Sequence, residues 1–220
     1  MIAGAIFDVD GTLLDSMPIW DEAGALYIRG LGKEPEPGLG ALLYPMSMSE
    51  GADYLKSRYR LRQSREEIIR GVTDVIRDFY LYRAQFKPGV ESFLFELVSR
   101  RIPMVVATSG DQNLVEGALC RLGVRECFAG IFTCAQAGAG KSQPDVYRMA
   151  AQALGAGSAA DIWVFEDACF AARTAKATGF KVAVVQDASA AADRGELLAL
   201  ADIYMEDFTD FNGFYQMALK

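Results

Sequence analysis

Short, continuous apolar runs recur along most of the chain, separated by amphipathic stretches of about ten residues. The runs are IAGAIF (2–7), PMVVA (103–107), GIFTC (130–134), DIWVF (161–165) and KVAVV (181–185). Apolar runs of this length, bounded by turn residues, read as strands buried on both faces. Between them, Val90–Ser99, Leu114–Leu122, Asp145–Leu154 and Ala168–Thr178 read as helices, with Gly123, Gly155 and Gly179 where left-handed caps are expected. Strand alternating with helix implies right-handed crossovers and a doubly wound parallel sheet, an α/β fold. The stretch from Met17 to Phe86 has a different period. It holds helical patterns over Met17–Gly30, Ser47–Tyr59 and Ser64–Arg83, the first two joined through the Gly/Pro-rich connector GLGKEPEPGLG. In the third, Ile68, Ile69, Val72, Val75, Ile76, Phe79 and Tyr80 share one face. The pattern therefore predicts a discontinuous α/β core, 1–15 and 87–220, interrupted by an all-helical cap domain over 16–86. Tyr54, Tyr59, Phe79, Tyr80 and Tyr82 are expected to form the core of that insert.

Four of the five apolar runs lead into polar groups. FDVDGT places Asp8 and Asp10 after the first, Thr108, Ser109 and Gly110 follow the second, Lys141 lies in AGAGKSQPD beyond the third, and Glu166-Asp167 end the fourth. In a parallel sheet the carboxyl ends of the strands lie along one edge, so these groups should converge. Three or four carboxylates in one cleft repel unless a cation lies among them, and an all-oxygen set suits Mg²⁺. A hydroxyl, a backbone amide and an ammonium are donors for phosphate oxygens.

Composition narrows the partners. Half of the 220 residues are hydrophobic, enough for a sizeable core, and the net charge is −7 with no basic run. Nucleic acid and anionic membrane surfaces are disfavoured, because either needs a basic footprint. The first apolar run lacks a basic flank and ends at an aspartate, unlike a secretory signal, and no stretch approaches a membrane span. Cys120, Cys127, Cys134 and Cys169 form no CxxC pair and the chain has no histidine, so free thiols in a cytoplasmic protein are expected.

FDVDGTLLDS, VVATSG, GKSQPD and VFEDA, in that order, resemble the haloacid dehalogenase-like (HAD) hydrolase superfamily, closest to its phosphatase and β-phosphoglucomutase-type branch with a helical cap. The resemblance implies a Rossmann-like core and covers essentially the whole chain. It further implies that Asp8 is the nucleophile, forming an aspartyl-phosphate, and that Asp10 is the general acid and base. Thr108 and Lys141 would hold phosphoryl oxygens. Mg²⁺ would be bound by the Asp8 carboxylate, the Asp10 backbone carbonyl and Asp167, with Glu166 a direct or supporting ligand. The implied partner is a small phosphorylated metabolite such as a sugar phosphate, for a protein acting as a monomer or weak homodimer.

Plainer roles compete at several positions. Asp8 and Asp10 alone could form a solvated Asp-Gly turn. Thr108 could cap the helix that follows, Ser109 could cap or share the phosphate, and Asp145 should cap the next helix. Trp20 lies on the first helix of the insert, where core packing and substrate contact are both open. The sequence around Lys141 is no P-loop, since GxxxxGK[ST] needs glycine where Ala135 stands. Among reactions, the family's dehalogenases lack the second aspartate, present here as Asp10. Its phosphoglucomutases have a histidine on the first cap helix and an arginine farther along. Trp20 occupies about the first position and Gly40–Gly51 holds no arginine. A phosphatase is thus expected, with a phosphosugar mutase the alternative and a non-enzymatic binding module less favoured. Substrate-facing candidates in the insert are Met17–Trp20 and Tyr44–Ser49.

Overall fold

A computed structural model of the chain describes residues 2–43, 46, 48–155 and 158–220. Contacts divide it into two compact units, Met1–Asp15 with Gln85–Lys220, and Ser16–Ala84.

The first unit is built on six parallel strands: β1 (Gly4–Phe7), β2 (Met104–Thr108), β3 (Ile131–Thr133), β4 (Ile162–Glu166), β5 (Lys181–Val185) and β6 (Ile203–Met205). Their order is β3-β2-β1-β4-β5-β6, so the chain reverses direction of growth at β1, the switch point where open α/β sheets place ligands. Successive side chains leave a strand on opposite faces. Phe7, Trp163 and Phe165 accordingly share one face. There they meet Phe93 of α5 (Val90–Ser99), Phe208, and Phe214 of α11 (Phe211–Ala218), with the Phe7 and Phe165 rings stacked at 4.3 Å. Ile6, Val105, Val164 and Val182 face the other way, into a cluster with Val146 and Tyr147 of α8 (Asp145–Leu154) and with α9 (Cys169–Ala177) and α10 (Arg194–Leu200). The sheet is therefore covered on both sides, as the apolar runs require. Between β2 and β3 runs α6 (Gln112–Arg121), and α7 (Cys134–Ala137) follows β3.

The second unit is helical among its described residues: α1 (Met17–Gly30), α2 (Leu39–Leu43), α3 (Met48–Tyr59) and α4 (Arg65–Tyr82). Its core gathers Tyr27, Ile28, Leu39, Ala52, Leu55, Leu61 and Ile68. Ser64 and Glu67 form a capping box that starts α4, each side chain accepting from the other's backbone N–H.

Some expectations are corrected. β6 and α2 are absent from the sequence reading. Tyr82, expected in the core of the insert, is 71% exposed. Tyr54 and Tyr59 pack only partly and turn their hydroxyls to Glu36, one donating to its carboxylate at 2.6 Å and the other accepting from its backbone N–H at 2.9 Å. Asp145 is the first residue of α8 rather than its cap, a place where a negative charge still suits the helix dipole. Among the described residues, no helix is long and apolar enough to cross a membrane, and the four cysteines are free.

Candidate active site

β1 and β4 pair in register with Phe7 opposite Phe165, and the Asp8 N–H continues the ladder by donating to the Phe165 carbonyl at 3.0 Å. That register sets Asp8 beside Glu166, the last residue of β4, with Asp167 next in sequence. The carboxylates of Asp8, Glu166 and Asp167 offer oxygens that all lie within 4.8 Å of one another, and all three residues are buried. Lys141, between α7 and α8, is brought to the same point. Its ammonium donates to Asp8 Oδ1 and, at 2.6 Å, to Glu166 Oε1.

Two supporting contacts were not foreseen from the sequence. The Tyr147 hydroxyl donates to Glu166 Oε1 at 2.7 Å, and the Thr12 hydroxyl to Asp167 Oδ1 at 3.2 Å. Tyr147 was legible in part: a tyrosine on the apolar face of a helix must find a partner for its hydroxyl. Thr12 reads as a turn residue, and nothing local to it signals a bond to a residue far along the chain.

Three carboxylates share one ammonium here, and the electrostatics follow from that count. Burial, then crowding by Asp8 and Asp167, pushes the Glu166 carboxyl up to about 8 against the opposing pull of Lys141. Burial and Asp8 push Asp167 up to about 7. Burial acts to lower Lys141, but the charges of Asp8 and Glu166 outweigh it and hold the ammonium protonated well above its usual range. Burial and Glu166 likewise raise Tyr147, which stays a neutral donor. A buried cluster of oxygens short of positive charge fits a hard divalent cation.

The second strand adds its loop. Thr108 is fully buried, and its Oγ1 accepts from the Gly110 N–H at 2.9 Å. Capping of α6 falls instead to Asp111, which accepts from Asn113 and Leu114 N–H, so the helix-cap reading of Thr108 is set aside. Ser109 is exposed, its Oγ 3.4 Å from Cys134 Sγ. An added Cβ at Gly110 would sit 3.4 Å from Asp10 Oδ2, so the Asp10 carboxylate borders this loop, half-buried. Trp20, in the other unit, is 47% exposed and is not among the described residues of the helical core. Tyr44, Pro45 and Ser47, among the substrate-facing candidates, lie outside the described residues.

The site thus pairs carboxylates at a switch point with one fixed ammonium, the equipment of a hydrolase acting on an anionic ester. A family model for haloacid dehalogenase-like hydrolases matches residues 2–179, and the chain belongs to that family. It is 30% identical to a validoxylamine A 7'-phosphate phosphatase of Streptomyces hygroscopicus subsp. limoneus, over 94% of both chains. It is 27% identical to a fructose-1-phosphate phosphatase of Escherichia coli (strain K12), covering 80% of this chain and 93% of that one. The solved structure of a β-phosphoglucomutase from Clostridium difficile shares the fold, with a TM-score of 0.70 and 17% identity over 100% of this chain and 98% of that one.

Proposed function

We propose that the protein is a Mg²⁺-dependent phosphatase that releases phosphate from a small phosphorylated metabolite, of the sugar phosphate class, through an aspartyl-phosphate on Asp8. The observation that carries this reading is the buried meeting of Asp8, Glu166 and Asp167 around Lys141 at the sheet's switch point. The two phosphatase relatives named above, whose names both specify small phosphorylated compounds, support the substrate class.

In this reading 1–15 and 87–220 form the catalytic core and 16–86 a cap. A carboxylate oxygen of Asp8 attacks phosphorus as the ester P–O bond breaks, and the Asp10 carboxylic acid passes its proton to the departing oxygen. Water then attacks the aspartyl-phosphate, Asp10 takes its proton, and phosphate leaves with Asp8 restored. Thr108, Ser109 and Lys141 hold phosphoryl oxygens, and Trp20 touches the substrate's remainder. The Asp8 and Asp167 carboxylates and the Asp10 carbonyl would hold Mg²⁺, with Glu166 a ligand or support. The bound cation would supply the positive charge that lets one anion approach another. Lys141 adds fixed charge to the same end, at no reorganisation cost.

The test is phosphate release from a panel of phosphorylated metabolites with Mg²⁺, for wild type beside Asp8→Asn. Release by the wild type alone, from a few sugar phosphates, is expected. Activity of folded D8N within tenfold of wild type would sink the nucleophile assignment. Isomerisation of β-glucose 1-phosphate without release would favour a mutase.

A further inference from the structure

Lys87 is a buried cation for which the chemistry above has no use. Its ammonium donates to the Gly11 carbonyl at 2.7 Å, the Gln186 carbonyl at 2.5 Å and Asp187 Oδ2 at 2.8 Å. An ammonium has three N–H donors, so all are spent on the protein and none is left for a ligand. The Asp187 charge is spent as well, since its Oδ1 accepts from the Ser189 N–H and hydroxyl. The Lys87 backbone adds a fourth tie, its N–H donating to the Leu13 carbonyl at 3.0 Å, while the Pro88 carbonyl accepts from Phe208 N–H. Gly89 is fixed too. Its φ is +82°, and a Cβ there would meet the Phe208 backbone at 2.4 Å.

These bonds fasten one particular loop. Residues 9–14 fold back after β1, closed by Gly11 N–H to the Leu14 carbonyl at 3.0 Å and Leu14 N–H to the Val9 carbonyl at 2.8 Å. Lys87 grips that loop at both Gly11 and Leu13 and secures it to the segment after β5. The Gly11 carbonyl is one peptide away from Asp10. Gly11 has φ +83°, which glycine adopts without strain, and its wide conformational freedom leaves bonds from outside the residue to define the backbone beside Asp10.

We propose that Lys87 is a positioning residue for Asp10: by pinning the Gly11 carbonyl against the loop after β5, it sets where the Asp10 carboxyl meets the leaving-group oxygen. This rests on the phosphatase reading, in which Asp10 protonates that oxygen. A p-nitrophenolate departs without a proton, whereas a sugar alkoxide does not. A displaced general acid therefore harms alkyl esters selectively, and loosened packing harms both alike.

The experiment compares kcat/KM for p-nitrophenyl phosphate and for the fastest member of an alkyl panel (fructose 1-phosphate, glucose 6-phosphate, glycerol phosphate). Wild type, Lys87→Met and Asp187→Asn are measured, with D8N as the blank and circular dichroism melts confirming folding. For K87M the loss on the alkyl ester is expected to exceed that on the aryl ester by about tenfold or more, a part of what general acid catalysis supplies. D187N, which leaves the ammonium on its two carbonyls, should show a smaller selective loss of the same sign. If K87M does not fold, D187N and Lys87→Gln decide by the same ratio. Equal losses on both esters, or none, in every folded variant overturn the proposal. A wild type that hydrolyses neither ester overturns the phosphatase reading itself.

Discussion

Lys141 keeps its charge in a place where water is scarce only because two carboxylates face it, and they in turn depend on it. Removing one member of such a buried group leaves the others uncompensated, at a cost of about 3–5 kcal/mol. Tyr147 is a gentler probe of the same cluster. Its hydroxyl shares Glu166 Oε1 with Lys141, at 2.7 Å, inside the packed face of α8. Tyr147→Phe keeps the ring in its place and leaves the buried Glu166 Oε1 one donor short, at a cost of about 1–3 kcal/mol. We expect the melting temperature to fall by roughly 3–10 °C, as read by circular dichroism. An unchanged melt would show that water replaces the hydroxyl. The acidic residues were legible because they sit at or just past strand ends, where charge needs a reason, and Lys141 because it lies in the loop beyond β3 and α7 that returns to the same edge. The partners of Tyr147, Thr12 and Lys87 were not, because they lie 19, 155 and 76 residues away in sequence, and no local pattern encodes such pairings.

At the scale of elements, length decided what could be read. β1, β2, β4 and β5 are nearly unbroken apolar segments, and the register that aligns their ends follows from burying both faces. β6, three residues with a half-exposed Tyr204, and α2, five residues behind a Pro/Gly connector, are too short to show a period. They form through neighbours: β6 by pairing with β5, α2 by seating Leu39 in the helical core. Caps were partly legible. Ser64 with Glu67 is a capping box readable from sequence, whereas Asp111 displaced Thr108 because Thr108 still belongs to the strand. Ser64→Ala removes the side-chain acceptor at the start of an 18-residue helix and leaves one donor to water. Its expected cost is ~1 kcal/mol, measured as a lower denaturation midpoint with unchanged m-value. Phosphatase activity should stay as in wild type, since Ser64 is a half-buried cap that touches none of the proposed machinery.

For the whole molecule, the acidic cluster ties stability to pH and to cations. Folding raises Glu166 to about 8 and Asp167 to about 7, both above ordinary carboxylate values. Between those ordinary values and 8 the folded state binds more protons than the unfolded one, so stability falls as pH rises through this window. Carboxylates held low, such as Asp187, whose burial is outweighed by Lys87 and Ser189, act in the opposite sense only in more acidic solution. Protein in EDTA should therefore melt lower at pH 8.5 than at pH 5.5. Mg²⁺ binds the ionised carboxylates in competition with protons, so its effect should run the other way. At about one hundred times its dissociation constant a bound cation adds ~2.7 kcal/mol, or about 5–10 °C for a chain of this size. That rise should be larger at pH 8.5 than at pH 5.5, flattening the pH dependence that EDTA reveals. Calorimetric melts at the two pH values, with chelator and with Mg²⁺, check both signs at once. A metal-free protein that grows more stable toward pH 8.5 would contradict the charge count at the site. Melts indifferent to Mg²⁺ would contradict the cation that this count calls for.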